Sequence, residues 1–312
     1  MPRPTTKKPS RSNATSRLRI VFFGTSSFAV PSLDALAAAH DVGAAVTRPD
    51  RPAGRGLVQT PSAVKKRAAE LGLDVLTPEL LDSAFIASIA ELRPQLLACV
   101  AYGKILPAAL LQIPDMIALN VHPSMLPEYR GAAPIQAALR DGRDSTGVTI
   151  IWMSKKMDAG DIALAQETKI EPGEALGALH DRLAILGARM LTQAAALAAD
   201  GALPRTPQDH SLATFAQPVT KADLRIDADA SAKSIVDLVR SASPTPAAWT
   251  IYDGKRLKVL EARAEALGKP DVTPDGPSIP ASDGIVRLLR VVPEGKREMT
   301  GAQFARLRSK QP

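Results

Sequence analysis

From residue 18 onward, short apolar runs alternate with longer stretches whose apolar residues recur at helical spacing. No other feature of the chain constrains its fold as tightly. "LRIVFF" (18–23) is a continuous β-branched and aromatic run, the pattern of a strand covered on both faces. "VGAAVT" (42–47), "PQLLACV" (94–100), "MIALNV" (116–121) and "GVTIIWM" (147–153) read as further strands. Between and after them, "SFAVPSLDALAAAH" (27–40), "PSAVKKRAAELG" (61–72), stretches near 82–92 and 132–140, and the amphipathic "ALGALHDRLAILGARMLTQAAALAAD" (175–200) read as helices. This alternation implies an α/β class: a doubly wound, mostly parallel sheet with helices on both faces.

The pattern changes near residue 202. "GALPRTPQDHSLATFAQP" (201–218) is proline-rich and reads as a linker; beyond it come a short helix, "SAKSIVDLVRSA" (231–242), and several short strands. Asp253-Gly254 is a hairpin signal between two of them. Short strands with turn chemistry imply a smaller OB-like β-barrel. The expected organisation is a basic tail over 1–17, a catalytic domain over 18–203 and a second domain, linker included, over 204–312.

Charge follows the same divisions. Residues 1–19 hold six Lys or Arg and no acid, residues 20–203 hold 16 basic against 19 acidic side chains, and residues 204–312 hold 17 against 13. A near-neutral centre flanked by basic ends fits a catalytic unit that meets a polyanion. The Pro/Ser/Lys/Arg-rich tail has no apolar periodicity and is expected to be disordered. A transit peptide is the alternative reading, and a bacterial cytoplasmic protein is preferred. No apolar run approaches the roughly 20 residues that cross a bilayer. Cys99 is the only cysteine, which excludes an internal disulfide and a cysteine-based zinc site.

The first strand ends in "FFGTSSF", with Gly24 where a dinucleotide site needs three spaced glycines. The sheet is therefore Rossmann-like without the signature for NAD. Ligands of such sheets still bind outside the carboxyl ends of the strands, where "GTSS", "VTRPDRPAGRG", "AYGKILP" and "NVHPSMLP" all fall. Within a strand, residues two apart share a face, so Asn120 and His122 point the same way at such an end. An amide N–H stabilises an oxyanion and an imidazole accepts a proton near neutral pH. Asp158, in the loop after another strand, is placed to orient that imidazole. Singly, each is ordinary, since a histidine after a strand is more often structural and a loop aspartate more often a turn former. Three such groups on neighbouring strand ends point to acid–base chemistry, with no metal called for.

The strings "VTRPDRPAGRG", "VAYGKILP", "NVHPSMLPEYRGAAPI", "GVTI", "MDAGDI" and "SPTPAAWTIYDGKRLKV" carry a resemblance to the methionyl-tRNA formyltransferase family, extending from residue 18 to about 308. The resemblance implies transfer of a formyl group from 10-formyltetrahydrofolate to the α-amino group of methionyl initiator tRNA. Asn120, His122 and Asp158 fall on the family's catalytic positions. Tyr102, Gly103, Ile105, Leu106, Pro107, Pro123, Ser124, Leu126 and Pro127 are expected to line the folate pocket. Arg51, Arg55 and Lys65 are expected to meet tRNA, Arg55 at the key position of the loop that enters the acceptor stem. No membrane and no obligatory protein partner is implied. Leu57 and Val58 stand where the family has lysines, "GTSSF" replaces "GTPxF", and Ala159 takes the place of a threonine after Asp158. A formyltransferase for a purine ribonucleotide or amino sugar would share the catalytic trio without needing the basic loop and second domain. A non-enzymatic RNA-binding module would leave the trio unexplained.

Overall fold

The computed structural model describes residues 17–53, 58–113, 117–266, 268 and 270–309. Residues 1–16 of the expected disordered tail, and Arg55 with the tip of its loop, lie outside the described residues. The first domain runs through β1 (Arg19–Gly24), α1 (Val30–Ala39), β2 (Asp41–Val46), β3 (Arg51–Ala53), β4 (Val58–Thr60), α2 (Ala63–Glu70), β5 (Val75–Leu76), α3 (Ser83–Glu91) and β6 (Leu96–Val100). It continues with α4 (Ala108–Leu111), β7 (Ile117–His122), β8 (Arg130–Gly131), α5 (Pro134–Arg140), β9 (Ser145–Trp152), β10 (Ile162–Lys169) and α6 (Leu176–Ala199).

Seven strands pair in the order β10-β9-β7-β6-β1-β2-β5. The pairings from β7 through β6, β1 and β2 to β5 are parallel, and β9 and β10 are antiparallel additions at one edge. Side chains alternate between two cores, as a doubly covered sheet requires. Ile20, Phe22, Leu96, Ala98, Leu119 and Val121 enter the core shared with α1, α2, α5 and α6. Val21, Phe23, Leu97, Cys99 and Ala118 enter the opposite one, shared with α3 and α4. Fully buried leucines such as Leu33, Leu36, Leu179 and Leu183 anchor the first core; each stabilises it by roughly 1.5–3 kcal/mol. Helix starts are capped locally: Ser62 accepts from the Lys65 N–H and Asp82 from the Phe85 N–H, both at 2.9 Å.

The second domain adds α7 (Ala232–Ala242), β12 (Ala248–Tyr252), β13 (Lys255–Glu265), β14 (Val272–Thr273), β15 (Gly276–Ala281), β16 (Gly284–Pro293), β17 (Met299–Thr300) and α8 (Gly301–Ser309). Its antiparallel sheet runs β12-β13-β16-β15-β14, with β17 on β16. Asp253 and Gly254 both take positive φ (48° and 73°), as the tight hairpin between β12 and β13 demands. Register shifts along β13 near Glu261 bend the ladder over the core of Ile235, Val239, Val259, Val286 and Leu288.

The segment read as a linker does not hang free. Its strand β11 (Phe215–Ala216) pairs in parallel with β8, and Thr206 bridges to Ile162. Residues 204–217 thus lie along the first domain, next to the turn after β9.

Candidate active site

β1 and β2 run outward from the sheet centre one way, β6 and β7 the other, so the order reverses between β1 and β6. That crevice is where open α/β sheets place ligands. Thr25, just past β1, donates its hydroxyl to the Tyr102 carbonyl just past β6 at 2.8 Å, bracing the two strand ends. A cavity of about 700 Å³ opens beyond them, a volume suited to a cofactor-sized molecule.

β7 carries Asn120 and His122 to this edge, and both line the cavity together with Asp158. His122 is buried, and its Nε2 lies 2.9 Å from the Tyr129 carbonyl oxygen. A carbonyl has no proton to give, so Nε2 carries one and Nδ1 is the ring's basic atom. Nδ1 stands 3.6 Å from Asp158 Oδ2. Asp158 Oδ2 accepts a bond from the Gly131 N–H at 2.9 Å, and its Oδ1 sits 3.5 Å from Asn120 Nδ2. An amide nitrogen has two N–H donors, and Asp158 engages one, leaving the other for a substrate oxygen.

The Asp158 turn is tightly built. Asp158 has φ +49°, a left-handed conformation costing a non-glycine residue on the order of 1–3 kcal/mol unless its surroundings hold it. A Cβ on Gly160 would fall 1.7 Å from the Trp152 carbonyl oxygen, so the turn closes on β9 only with glycine there. Gly131, at φ +110°, would place a Cβ 2.7 Å from the Ala216 carbonyl oxygen, which explains glycine where β8 meets the returning chain.

Cys99 also lines the cavity, but burial, and secondarily the Asp158 charge, push its thiol up to about 12. It stays protonated and is no nucleophile. Burial likewise holds the Tyr102 phenol up at about 12, and its ring stands edge-on to Phe23 with centroids 5.3 Å apart. Asn120, His122 and Asp158 thus bring an amide, an imidazole and a carboxylate together at the cavity.

Of the expected folate-pocket residues, Tyr102, Gly103, Ile105, Leu106 and Pro123 line the cavity. Pro107, Ser124, Leu126 and Pro127 do not line it. Ser124 is fully buried and donates to the Glu128 carbonyl at 2.6 Å, while the Leu126 N–H donates to Thr149 at 3.1 Å. These two shape the turn that follows His122. Arg51 is exposed on the β3–β4 ribbon. Lys65 is bound back to Asp50 at 2.8 Å. Sequence reasoning missed Phe28 and His180, which meet edge-on across one wall, and Thr245 and Pro246, which reach the cavity from the second domain. It also passed over Arg130 and Gln208, which support the Asp158 turn.

An open α/β sheet thus presents Asn120, His122 and Asp158 at its carboxyl edge, beside a cofactor-sized cavity. Residues 18–195 match the family model described as formyl transferase, and residues 218–309 match the formyl transferase C-terminal domain. The chain belongs to the formyl transferase family. It is 40% identical over 305 residues to the methionyl-tRNA formyltransferase of Heliobacterium modesticaldum, spanning 93% of this chain and 96% of that one. Two solved structures share the fold. One is the N-formyltransferase from Helicobacter canadensis in complex with folinic acid and dTDP-3-aminofucose, with TM-score 0.67 and 15% identity over 87% of this chain and 99% of that one. The other is HypX from Aquifex aeolicus in complex with tetrahydrofolic acid, with TM-score 0.60 and 17% identity over 93% of this chain. This chain spans about half of HypX, 47% of its length. No helix among the described residues is long and apolar enough to cross a membrane.

Proposed function

We propose that this protein transfers the formyl group of 10-formyltetrahydrofolate to the α-amino group of methionine on initiator tRNA, in the bacterial cytoplasm. The observation that carries the reading is the meeting of Asn120, His122 and Asp158 on one wall of the cavity. The near full-length likeness to methionyl-tRNA formyltransferases, second domain included, favours tRNA over a nucleotide sugar or purine ribonucleotide as acceptor.

The cavity fits a folate. Ile105, Leu106 and Met153 offer apolar surface for a flat ring system, and Lys155 and Lys156 at the rim suit the carboxylates of its tail. An α-amino group has an ordinary pKa of roughly 7.7–8.0, so the attacking amine is readily available near neutral pH. As it bonds to the formyl carbon, negative charge grows on the formyl oxygen. The free Asn120 N–H meets that charge. The amine's surplus proton passes to the His122–Asp158 pair, with Nδ1 as acceptor and the carboxylate balancing its charge; as the intermediate collapses, the bond from the formyl carbon to N10 of the folate breaks and the same proton goes to N10, so that tetrahydrofolate leaves. Arg51, on the ribbon, and Arg55 approach the acceptor stem, and the basic second domain, from about 218, tracks the tRNA backbone.

Release of tetrahydrofolate, followed with methionyl initiator tRNA, uncharged tRNA and an amino-sugar nucleotide as acceptors, tests the reading. Turnover with methionyl-tRNA alone is the expected result, and turnover only with the sugar nucleotide would overturn it. Arg51→Ala should reduce the magnitude of the log–log salt slope of tRNA binding by roughly 0.7–0.9, one phosphate contact. A filter-binding titration across salt concentrations measures it.

A further inference from the structure

Asp158 reaches the cavity in a left-handed conformation, and its turn is held from outside by a segment that neither family match covers. The matches end at residue 195 and resume at 218. Between them, Gln208 is buried at 7% exposure and binds in two directions. Its Nε2 donates to the carbonyl oxygens of Asp158 at 2.9 Å and Gly160 at 2.7 Å. Its Oε1 accepts from Arg130 Nη2 at 2.6 Å and Nε at 3.2 Å. Arg130, itself 6% exposed, also meets His210 Nδ1 at 2.9 Å. Arg130 belongs to β8, whose next residue, Gly131, donates its N–H to the Asp158 carboxylate. The same β8 is paired to the segment, since the Arg130 N–H binds the Thr214 carbonyl and the Ala132 N–H the Ala216 carbonyl, both at 2.9 Å.

We propose that Gln208 is a positioning residue for the reaction: it clamps the backbone of the Asp158 turn to Arg130, and so fixes the carboxylate between Gly131, Asn120 and His122. The segment 204–217 is then a working part of the catalytic centre and the covalent path from that centre to the second domain. This inference rests on the functional reading above for its effect on turnover, and on geometry alone for the clamp. A glutamine suits the place because one side chain both donates to two carbonyls and accepts from a guanidinium; a carboxylate could only accept, and a hydrophobic residue could do neither. Held this way, a misplacement on the scale of an ångström is prevented where it is most costly to rate.

The test uses the full chain with Gln208→Glu, which keeps the acceptor for Arg130 but replaces both donors with repulsion toward the two carbonyls. Hydrogen exchange of single amides gives a readout that does not depend on activity. The Gly131 N–H, whose partner among the described residues is Asp158, should exchange about tenfold faster, the scale of one or two neutral hydrogen bonds. The Arg130 and Ala132 amides, bound to the segment instead, should keep their wild-type rates. Acceleration of all three amides together, or of none, overturns the clamp. In parallel, kcat for formyl transfer should fall about 10- to 100-fold with the folate KM retained. In an Asp158→Asn background the same substitution should cost less than about twofold, because the two residues act as one unit. An equal loss in both backgrounds overturns the catalytic role. If the buried charge prevents folding, Gln208→Met repeats both measurements without it. Absence of formyl transfer by the wild type contradicts the proposed function, while the exchange result still decides the clamp.

Discussion

Arg287, in the second domain's sheet, is 4% exposed, and so is His122 at the edge of the first. Their surroundings differ in kind. Arg287 donates to Glu265 Oε2 at 2.7 Å, to Asp271 Oδ1 at 2.8 Å and to the Gly276 carbonyl at 2.9 Å. The Arg287 hydrogen bonds, helped by Arg263, hold the Glu265 carboxyl down at about 2. No such closure surrounds His122. Its basic nitrogen faces a carboxylate at 3.6 Å, the neighbouring amide is 3.5 Å from that carboxylate, and all three border a cavity. A polar cluster that is saturated and shut stabilises a fold; one that is loose and open keeps donors and acceptors for a substrate. The short contacts of the first domain gather around Asp158: the Gly131 N–H on one carboxylate oxygen, and Gln208, held by Arg130, on the backbone behind it.

Substitutions in the two clusters should therefore part company. The largest effect is expected for His122→Ala, a fall in kcat of about 10²–10⁴-fold with folate binding retained, measured by steady-state formyl transfer and equilibrium titration. Loss of folate binding at unchanged kcat would place His122 with the structural cluster. Next comes Arg287→Met, which leaves two carboxylates facing each other without their cation. Loss of the buried guanidinium should lower the midpoint of chemical denaturation of the second domain, while kcat under folding conditions should stay at the wild-type value. The smallest effect is the acid dependence of the same cluster. The folded pKa of Glu265 lies below its ordinary 4.5, so its contribution is complete above that value and is lost as pH falls from about 4.5 toward 2. Asp271 is depressed in the same direction, first by Arg287 and then by Ser278. Stability of the wild type should decline across that interval and that of Arg287→Met should decline less steeply, as denaturation curves at successive pH values would show.

The sequence carried the layered centre of the fold and the shared face of Asn120 and His122 because both depend on local spacing. β1, β6 and β7 are legible as apolar runs since both of their faces are buried, and Asn120 and His122 share a face because a strand repeats every two residues. β10 was not legible. It is an edge strand, "IALAQETK", with one buried residue and half of its residues exposed, and without burial a strand leaves little pattern. The β3–β4 ribbon was read as loop because three-residue strands between prolines and glycines leave no periodicity. The supports of the site were hidden for a different reason. Gln208 sits 50 residues beyond Asp158 in a proline-rich stretch whose composition is that of a linker, and only its return along β8 shows what it binds. Thr245 and Pro246 reach the cavity through the packing of one domain on the other, which no local pattern encodes.

The contrast between an open reactive cluster and a closed structural one is tested most directly by the single-turnover rate of formyl transfer in Asp158→Asn, taken beside that variant's melting temperature. Asparagine keeps the size of the side chain and removes the charge that the protonated imidazole requires. The account predicts a rate lowered by about 10²-fold or more, the scale of a lost acid–base partner, with the melting temperature and folate affinity held. A wild-type rate with a lowered melting temperature would contradict it, and would make Asp158 a structural counterpart of Glu265.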